Sequence, residues 1–342
     1  MKAAVLYGVG DLRVEDVPEP EILGNEVLLE VKATGICGTD IHIYKGEWKV
    51  ETPIILGHEF SGVISKIGGE VEEFRVGDHV VAEPNITCGT CHFCLMSERN
   101  FFCERIRTLG VTVNGAFAEY VKTTKGNIYK IPRELSFEEA SLIEPIACCV
   151  RGIDQAGIKV GDIVAIVGAG PIGLLLLQLA KMAGASKVIQ TDLEEGRLKL
   201  AKSLGADYVI NIQKEDTVKA VNDITGGYGV DMAIEAVGKP ESITQAMEMT
   251  SRGGRLTIFG VSAQDAVWKV KPFDLYEKEL TITTSYRSPY TFQRAVKIVS
   301  SNSLKLKPLI SHIFPLSDIR QAFEVVDKRL ENTVKVVVKP SK

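Results

Sequence analysis

The sequence predicts an α/β fold in two parts, a β-rich part and a doubly wound parallel sheet of six strands. Three observations carry this. Over roughly the first 145 residues, short runs such as AAVLY, EVLLEVKATG, SGVISKIG, GDHVVAE and AFAEYVKT gather β-branched and alternating residues between Gly, Pro and Asp. From Asp162 onward six apolar strands alternate with helical stretches such as LLLLQLAKMAGA and EEGRLKLAKSLG. They are IVAIV (163–167), KVIQT (187–191), YVIN (208–211), MAIEAV (232–237), RLTIF (255–259) and LTITT (280–284). Strands that are apolar throughout belong in a sheet covered on both faces. Finally, the first of them runs straight into a glycine-rich turn.

Between the two parts, SFEEASLIEPIACCVRGI reads as a helix opened by Ser136, with Glu139 three residues later in a capping-box arrangement. The last 57 residues return to a mixed pattern. A helix is expected near FQRAVKIVS, another near DIRQAFEVV, and a strand at TVKVVVK.

Composition narrows the function. A length of 342 residues points to about two domains. The 45% hydrophobic and 25% charged content is that of a globular chain. Forty basic against 44 acidic residues give a net charge of −4, without the basic footprint of a nucleic-acid binder. The longest apolar run, Ile163 to Leu177, is 15 residues broken by three glycines and a proline, too short to span a bilayer. No export signal is read at the N-terminus, so a cytoplasmic location is expected. In that reducing setting the seven cysteines are metal ligands or core residues rather than disulfides.

The turn after the first apolar strand is Gly168-Ala169-Gly170-Pro171-Ile172-Gly173, followed by a long apolar helix. Glycines there permit a tight turn and close approach of backbone to a pyrophosphate, which rests on the helix N-terminus. Pro171 falls in the first helical turn, where its missing N–H does no harm. Asp192 ends the second strand 19 residues after Gly173. A carboxylate there accepts from both ribose hydroxyls and repels a 2′-phosphate, so NAD is expected rather than NADP. Arg197, close by, is read as an adenine or phosphate contact. The strand ends at Phe259, Gly260, Val261 and Ser285 complete the expected cofactor-binding set. The chain lacks G-x-x-x-x-G-K-[ST], so phosphoryl transfer has no cradle.

Two groups of metal-ligand residues stand out. Cys88, Cys91, Cys94 and Cys103 form C-x2-C-x2-C-x8-C, which fits a closed tetrahedral zinc site. An iron–sulfur cluster is the competitor, but its fourth cysteine is expected three residues on and before a proline. Here the gap is eight and Glu104 follows. The second group is dispersed: Cys37 in GICGTDIH, His58 and Glu59 in ILGHEF, and Glu144 in LIEPIA. Beside a nicotinamide site these make sense as a mixed S/N/O zinc site with an open position. Cys148 and Cys149 are rivals for that metal and are read as core thiols.

GHE at 57–59, the four-cysteine loop at 88–103 and GAGPIG at 168–173, in this order, resemble the zinc-containing medium-chain dehydrogenase/reductase family across essentially the whole chain. The resemblance implies a GroES-like catalytic domain from 1–146 and 286–342, with a Rossmann domain inserted at 147–285. It implies a catalytic zinc on Cys37, His58 and Glu59, with Glu144 as occasional ligand or water-activating group, and a structural zinc on the four cysteines. Glu144 followed by Pro145 resembles the polyol (sorbitol-type) branch, whose substrate-contacting arginine matches Arg287. Thr39 and CGTDIHIY lie closer to threonine dehydrogenase, and Ser288 stands where sorbitol-type enzymes carry an aromatic. A homotetramer or dimer is also implied.

The expected reaction is oxidation of a secondary alcohol of a polyol or sugar derivative, with hydride passing to NAD. Zinc brings bound water from a pKa of about 16 to about 7, and a comparable shift of a bound alcohol is worth about 12 kcal/mol. Thr39 would touch substrate and accept the released proton, His42 would carry it to solvent, and Asp40 would orient His58. The alternatives are an L-threonine 3-dehydrogenase or a simple secondary-alcohol dehydrogenase. More remote is a non-enzymatic dinucleotide-binding protein.

Overall fold

The structure is a computed structural model and describes residues 1–96 and 99–341. The chain divides into two compact units, Met1–Ala147 with Pro289–Lys342, and Cys148–Ser288.

In the first unit the long strand Glu26–Gly35 is central. It pairs antiparallel with Glu59–Ile67, Tyr120–Thr124 and the C-terminal strand Lys335–Lys339. His79–Ala82 and Ile128–Lys130 extend the sheet on one side. On the other side Ile310–Pro315 runs parallel to Lys335–Lys339. A smaller sheet carries Asp11–Asp16, Lys2–Gly8 and Ile54–Ile55 in that order. Two apolar clusters fill the unit. One joins Leu6, Ile55, Phe117 and Phe323, the other Val27, Phe60, Ile64 and Val80.

The second unit is a six-stranded parallel sheet. Its spatial order is Tyr208–Asn211, Lys187–Asp192, Ile163–Val167, Val230–Glu235, Thr250–Ile258 and Thr281–Thr284. In sequence terms that is 3-2-1-4-5-6, so the winding reverses between the first and fourth strands. In open sheets of this kind, ligands bind at the carboxyl ends of the strands at such a reversal.

The helix expected from Ser136 onward is two helices, Phe137–Ala140 and Ile143–Ala156. Ser136 Oγ caps the first by accepting from the Glu139 backbone N–H at 3.3 Å. Pro145 explains the break. A proline fits a first turn but clashes with the carbonyl four residues earlier, so the second helix starts anew just ahead of it.

Candidate functional site

The short helix Gly38–Tyr44 begins at Cys37, which holds its N-cap position. The Cys37 backbone N–H donates to Asp40 Oδ2 at 2.9 Å, so the CGTD run folds back on itself and pins the cysteine. Asp40 is fully buried and also receives the Gly57 N–H at 3.3 Å. Its Oδ1 lies 3.4 Å from His58 Nδ1, which leaves Nε2 as the ring atom available to a cation. His58 immediately precedes the strand Glu59–Ile67, and Glu59 opens it.

One ligand atom each from Cys37, His58 and Glu59 lie within 4.8 Å of one another. His58 and Glu59 are buried, and Cys37 is partly so. Burial works to push the His58 pKa down, yet the negative charges of Asp40 and Cys37 outweigh it and hold the ring well above its ordinary value. A pocket that attracts a proton this strongly attracts a divalent cation for the same reason. The donor set of one sulfur, one imidazole and one carboxylate therefore fits zinc with a coordination position to spare.

Lys335, unremarked in the sequence, completes this centre. It is 3% exposed, its Nζ pairs with Glu59 Oε2, and the same ammonium donates to the Ile36 carbonyl at 3.0 Å. Burial pulls its pKa down, but Glu59 foremost and then Cys37 overcome that and raise it. The sequence signal is weak: Lys335 opens the strand KVVVK, whose other lysine, Lys339, has the same parity and is exposed.

Thr39 Oγ1 sits 3.7 Å from Cys37 Sγ. His42 follows three residues later on the same helix, with Nδ1 at 2.5 Å from Glu47 Oε2. Glu144 is buried near the start of its helix but lies outside the Cys37–His58–Glu59 cluster. Another carboxyl faces Glu144: Glu83 is pushed up to about 7, first by burial and then by the Glu144 charge, while Tyr129 hydrogen-bonds to it. Cys149 is a core thiol, and Cys148 is half-buried.

The four cysteines of the loop also converge, each offering a sulfur within 4.8 Å of the others. Cys88 and Cys94 sulfurs are 3.9 Å apart, and Cys91 and Cys94 sulfurs 3.5 Å. A zinc–sulfur bond of about 2.3 Å in a tetrahedron demands an edge of about 3.8 Å, so the set fits a closed zinc site. Backbone N–H groups serve the sulfurs: that of Thr90 is the first cause of a Cys88 pKa lowered to about 5, and Cys88 N–H donates to Cys103 Sγ at 3.3 Å. His92 is exposed.

In the second unit, Gly168 turns the chain with φ +98° after Ile163–Val167, and Pro171 opens the helix Pro171–Met182. A Cβ on Gly173 would lie 1.8 Å from the Gly168 carbonyl oxygen, so the helix can meet the turn only at a glycine. Asp192 ties this turn to the second strand, accepting from Ala169 N–H at 2.6 Å and from Glu194 N–H at 2.9 Å. Each oxygen retains a lone pair for a further donor. Gln190, buried, donates to the Gly168 carbonyl at 2.5 Å and braces the same turn.

On the far side of the reversal point, Phe259 and Gly260 N–H groups both donate to the Glu235 carbonyl. Val261 is exposed, while the Ser285 hydroxyl is buried. Ile172 follows Pro171 in the first turn of the helix Pro171–Met182, and Arg197 lies on the helix Glu195–Ser203. Arg287 has φ +59°, with its guanidinium 4.8 Å over the Tyr286 ring. Among the described residues no helix is long and apolar enough to cross a membrane.

Residues 24–133 match the alcohol dehydrogenase GroES-like domain, and residues 171–301 match the zinc-binding dehydrogenase family. A sorbitol dehydrogenase of Bacillus subtilis (strain 168) is 36% identical over 347 residues, covering 100% of this chain and 98% of that protein. An L-threonine 3-dehydrogenase from the same organism is 38% identical, covering 91% of this chain and 90% of its own length. Among solved structures, a protein described as a zinc-binding dehydrogenase from Sinorhizobium meliloti 1021, bound to NADP, superposes with a TM-score of 0.95. It is 35% identical, and 99% of each chain is covered. The fold, the clustered metal-ligand residues and this likeness along the whole length agree: the chain belongs to the zinc-containing medium-chain dehydrogenase/reductase family, whose alcohol- and polyol-oxidising members it resembles.

Proposed function

We propose that the protein oxidises a secondary alcohol of a polyol or sugar derivative to a ketone and passes the hydride to NAD. The observation that supports this most is the Cys37, His58 and Glu59 trio gathered in one buried place, in a chain similar to a sorbitol dehydrogenase along its length. Residues 1–146 and 286–342 form the catalytic domain of this reading, and 147–285 the NAD-binding domain. The trio holds one zinc and the four loop cysteines another, two per chain.

When bound, the catalytic zinc supplies a Lewis acid that makes a substrate hydroxyl acidic near neutral pH. The chain's own residues do the rest. Asp40 orients His58, and Lys335 keeps one oxygen of Glu59 engaged and the other free to bind. Thr39 accepts the hydroxyl proton, and His42 hands it to solvent. Glu144 joins as a proton acceptor or replacement ligand. Arg287 binds further substrate hydroxyls. The NAD preference rests on the Asp192 carboxylate, which would repel a 2′-phosphate. A homo-oligomer (dimer or tetramer) in the cytoplasm completes the reading.

A second reading, L-threonine 3-dehydrogenase, is favoured by Thr39 within CGTDIHIY and by the 38% identical relative. Following NADH absorbance with sorbitol, xylitol, threonine and butan-2-ol separates the readings. Turnover of sorbitol or xylitol is expected. Turnover of threonine alone would establish the second reading, and turnover of butan-2-ol alone would reject both. Asp192→Gly is expected to lower the NAD over NADP ratio of kcat/KM, and a wild type that already favours NADP would overturn the cofactor choice.

A further inference from the structure

His42 has a partner that the reaction as described leaves unused. The chain leaves the helix Gly38–Tyr44 and folds back at once, so that the backbone N–H groups of Glu47 and Trp48 both donate to the His42 carbonyl, at 2.9 and 3.2 Å. That turn carries the Glu47 side chain onto the imidazole, with Oε2 at 2.5 Å from Nδ1. The hydrogen bond to His42 is also the first cause of a Glu47 pKa below the usual carboxylate range. Lys45 stands 3.6 Å from the other Glu47 oxygen and is itself held by Asp327 at 3.2 Å. Glu47 is thus steadied from two directions. Both members of the pair are about half exposed, at 49% and 48% of their side chains, so the contact adds little to stability. Its consequence is chemical. An acceptor-only carboxylate on Nδ1 requires that nitrogen to carry the hydrogen, which leaves the Nε2 lone pair open.

We propose that Glu47 is a positioning residue for the proton exit, fixing His42 as the Nδ1–H tautomer so that Nε2 is the atom that takes the proton. The proposal rests on His42 being the proton acceptor. The balance of the step is simple. The alcohol loses a hydride from carbon to the nicotinamide and a proton from oxygen, by way of Thr39, to Nε2. The ring is then an imidazolium with Glu47 as its counter-ion, and it releases one proton from Nε2 to water.

The test combines selective 15N-histidine labelling with steady-state kinetics on the alcohol of the panel above that is turned over fastest. Nitrogen chemical shifts of His42 at a pH where the ring is neutral should show hydrogen on Nδ1 in the wild type. Glu47→Gln, whose amide oxygen still accepts from Nδ1–H, should keep that tautomer and stay within about twofold of wild-type kcat. Glu47→Leu should show a tautomer mixture and lose about tenfold in kcat, a fraction of the 10²–10⁴ that a positioned acid–base group contributes, with KM for NAD unchanged. Hydrogen on Nε2 in the wild type, or a Glu47→Leu enzyme with full kcat, would overturn the proposal. His42→Gln tells the two levels apart. If it keeps full kcat, the relay and this proposal fail together. If it loses kcat while Glu47→Leu does not, Glu47 alone is excluded.

Discussion

Replacing Lys335 by Met tests whether the metal centre is an electrostatically closed unit. The substitution keeps an unbranched chain of similar length in a buried position and removes only the charge and its donors. What remains is the Glu59 carboxylate, 2% exposed, without its cationic partner, and an Ile36 carbonyl without its donor. Removing one member of a buried ion pair costs about 3–5 kcal/mol, because the other is left charged and desolvated. For a unit of this size that is a fall of roughly 6–20 °C in melting temperature. The measurement is urea unfolding of metal-stripped wild type, Lys335→Met, Glu59→Gln and the double variant. Each single change should cost several kcal/mol, and the double change clearly less than their sum, since neutralising both partners leaves no stranded charge. Bound zinc should shrink the Lys335→Met deficit by replacing the missing cation. A Lys335→Met protein within about 0.5 kcal/mol of wild type, or strictly additive costs, would refute the reasoning.

Three further outcomes are expected. His58 has a pKa raised above its unfolded value of about 6.5, so in metal-free protein its contribution to stability is complete below that pH and fades as pH rises through the folded-state value. Denaturation series from pH 5 to pH 9 should show this slope in metal-free wild type and a weaker one in His58→Gln. Gly173→Ala places a Cβ 1.8 Å from the Gly168 oxygen, so NAD affinity by fluorescence titration should fall at least about tenfold, while zinc content stays unchanged. Elemental analysis should find about two zincs per chain in wild type and about one in Cys103→Ser, with iron–sulfur absorption in neither.

Much of the fold could be read from the chain because it is written locally. All six strands of the parallel sheet lie where the apolar runs predict them, with shifts at their ends. The fourth stops at Glu235 rather than Val237, because the Glu235 carboxylate accepts from the N–H groups of Val237 and Gly238, at 2.7 and 2.8 Å, and turns the chain. The fifth reaches back to Thr250. The strand Ile310–Pro315 leaves little trace in the sequence, since half of its positions are exposed and its apolar signal is weak.

The candidate sites divide in the same way. Cys88 to Cys103 and Gly168 to Gly173 are short segments in which spacing alone restricts the backbone, so the cysteine cluster and the glycine turn were determined by sequence. Asp40 belongs with them, because its carboxylate reaches Cys37 across a single helical turn. Lys335 does not. It meets Glu59 only because the C-terminal strand pairs with Glu26–Gly35, in the register Val337 to Gly35, beside the start of Glu59–Ile67. A one-residue slip in that pairing would turn the lysine away from Glu59, onto the face where Val336 and Val338 join an apolar cluster, and leave the same sequence pattern. Local spacing constrains atoms joined by a few bonds, whereas the charge balance of a buried metal centre depends on which distant strands lie side by side, and only the folded sheet decides that.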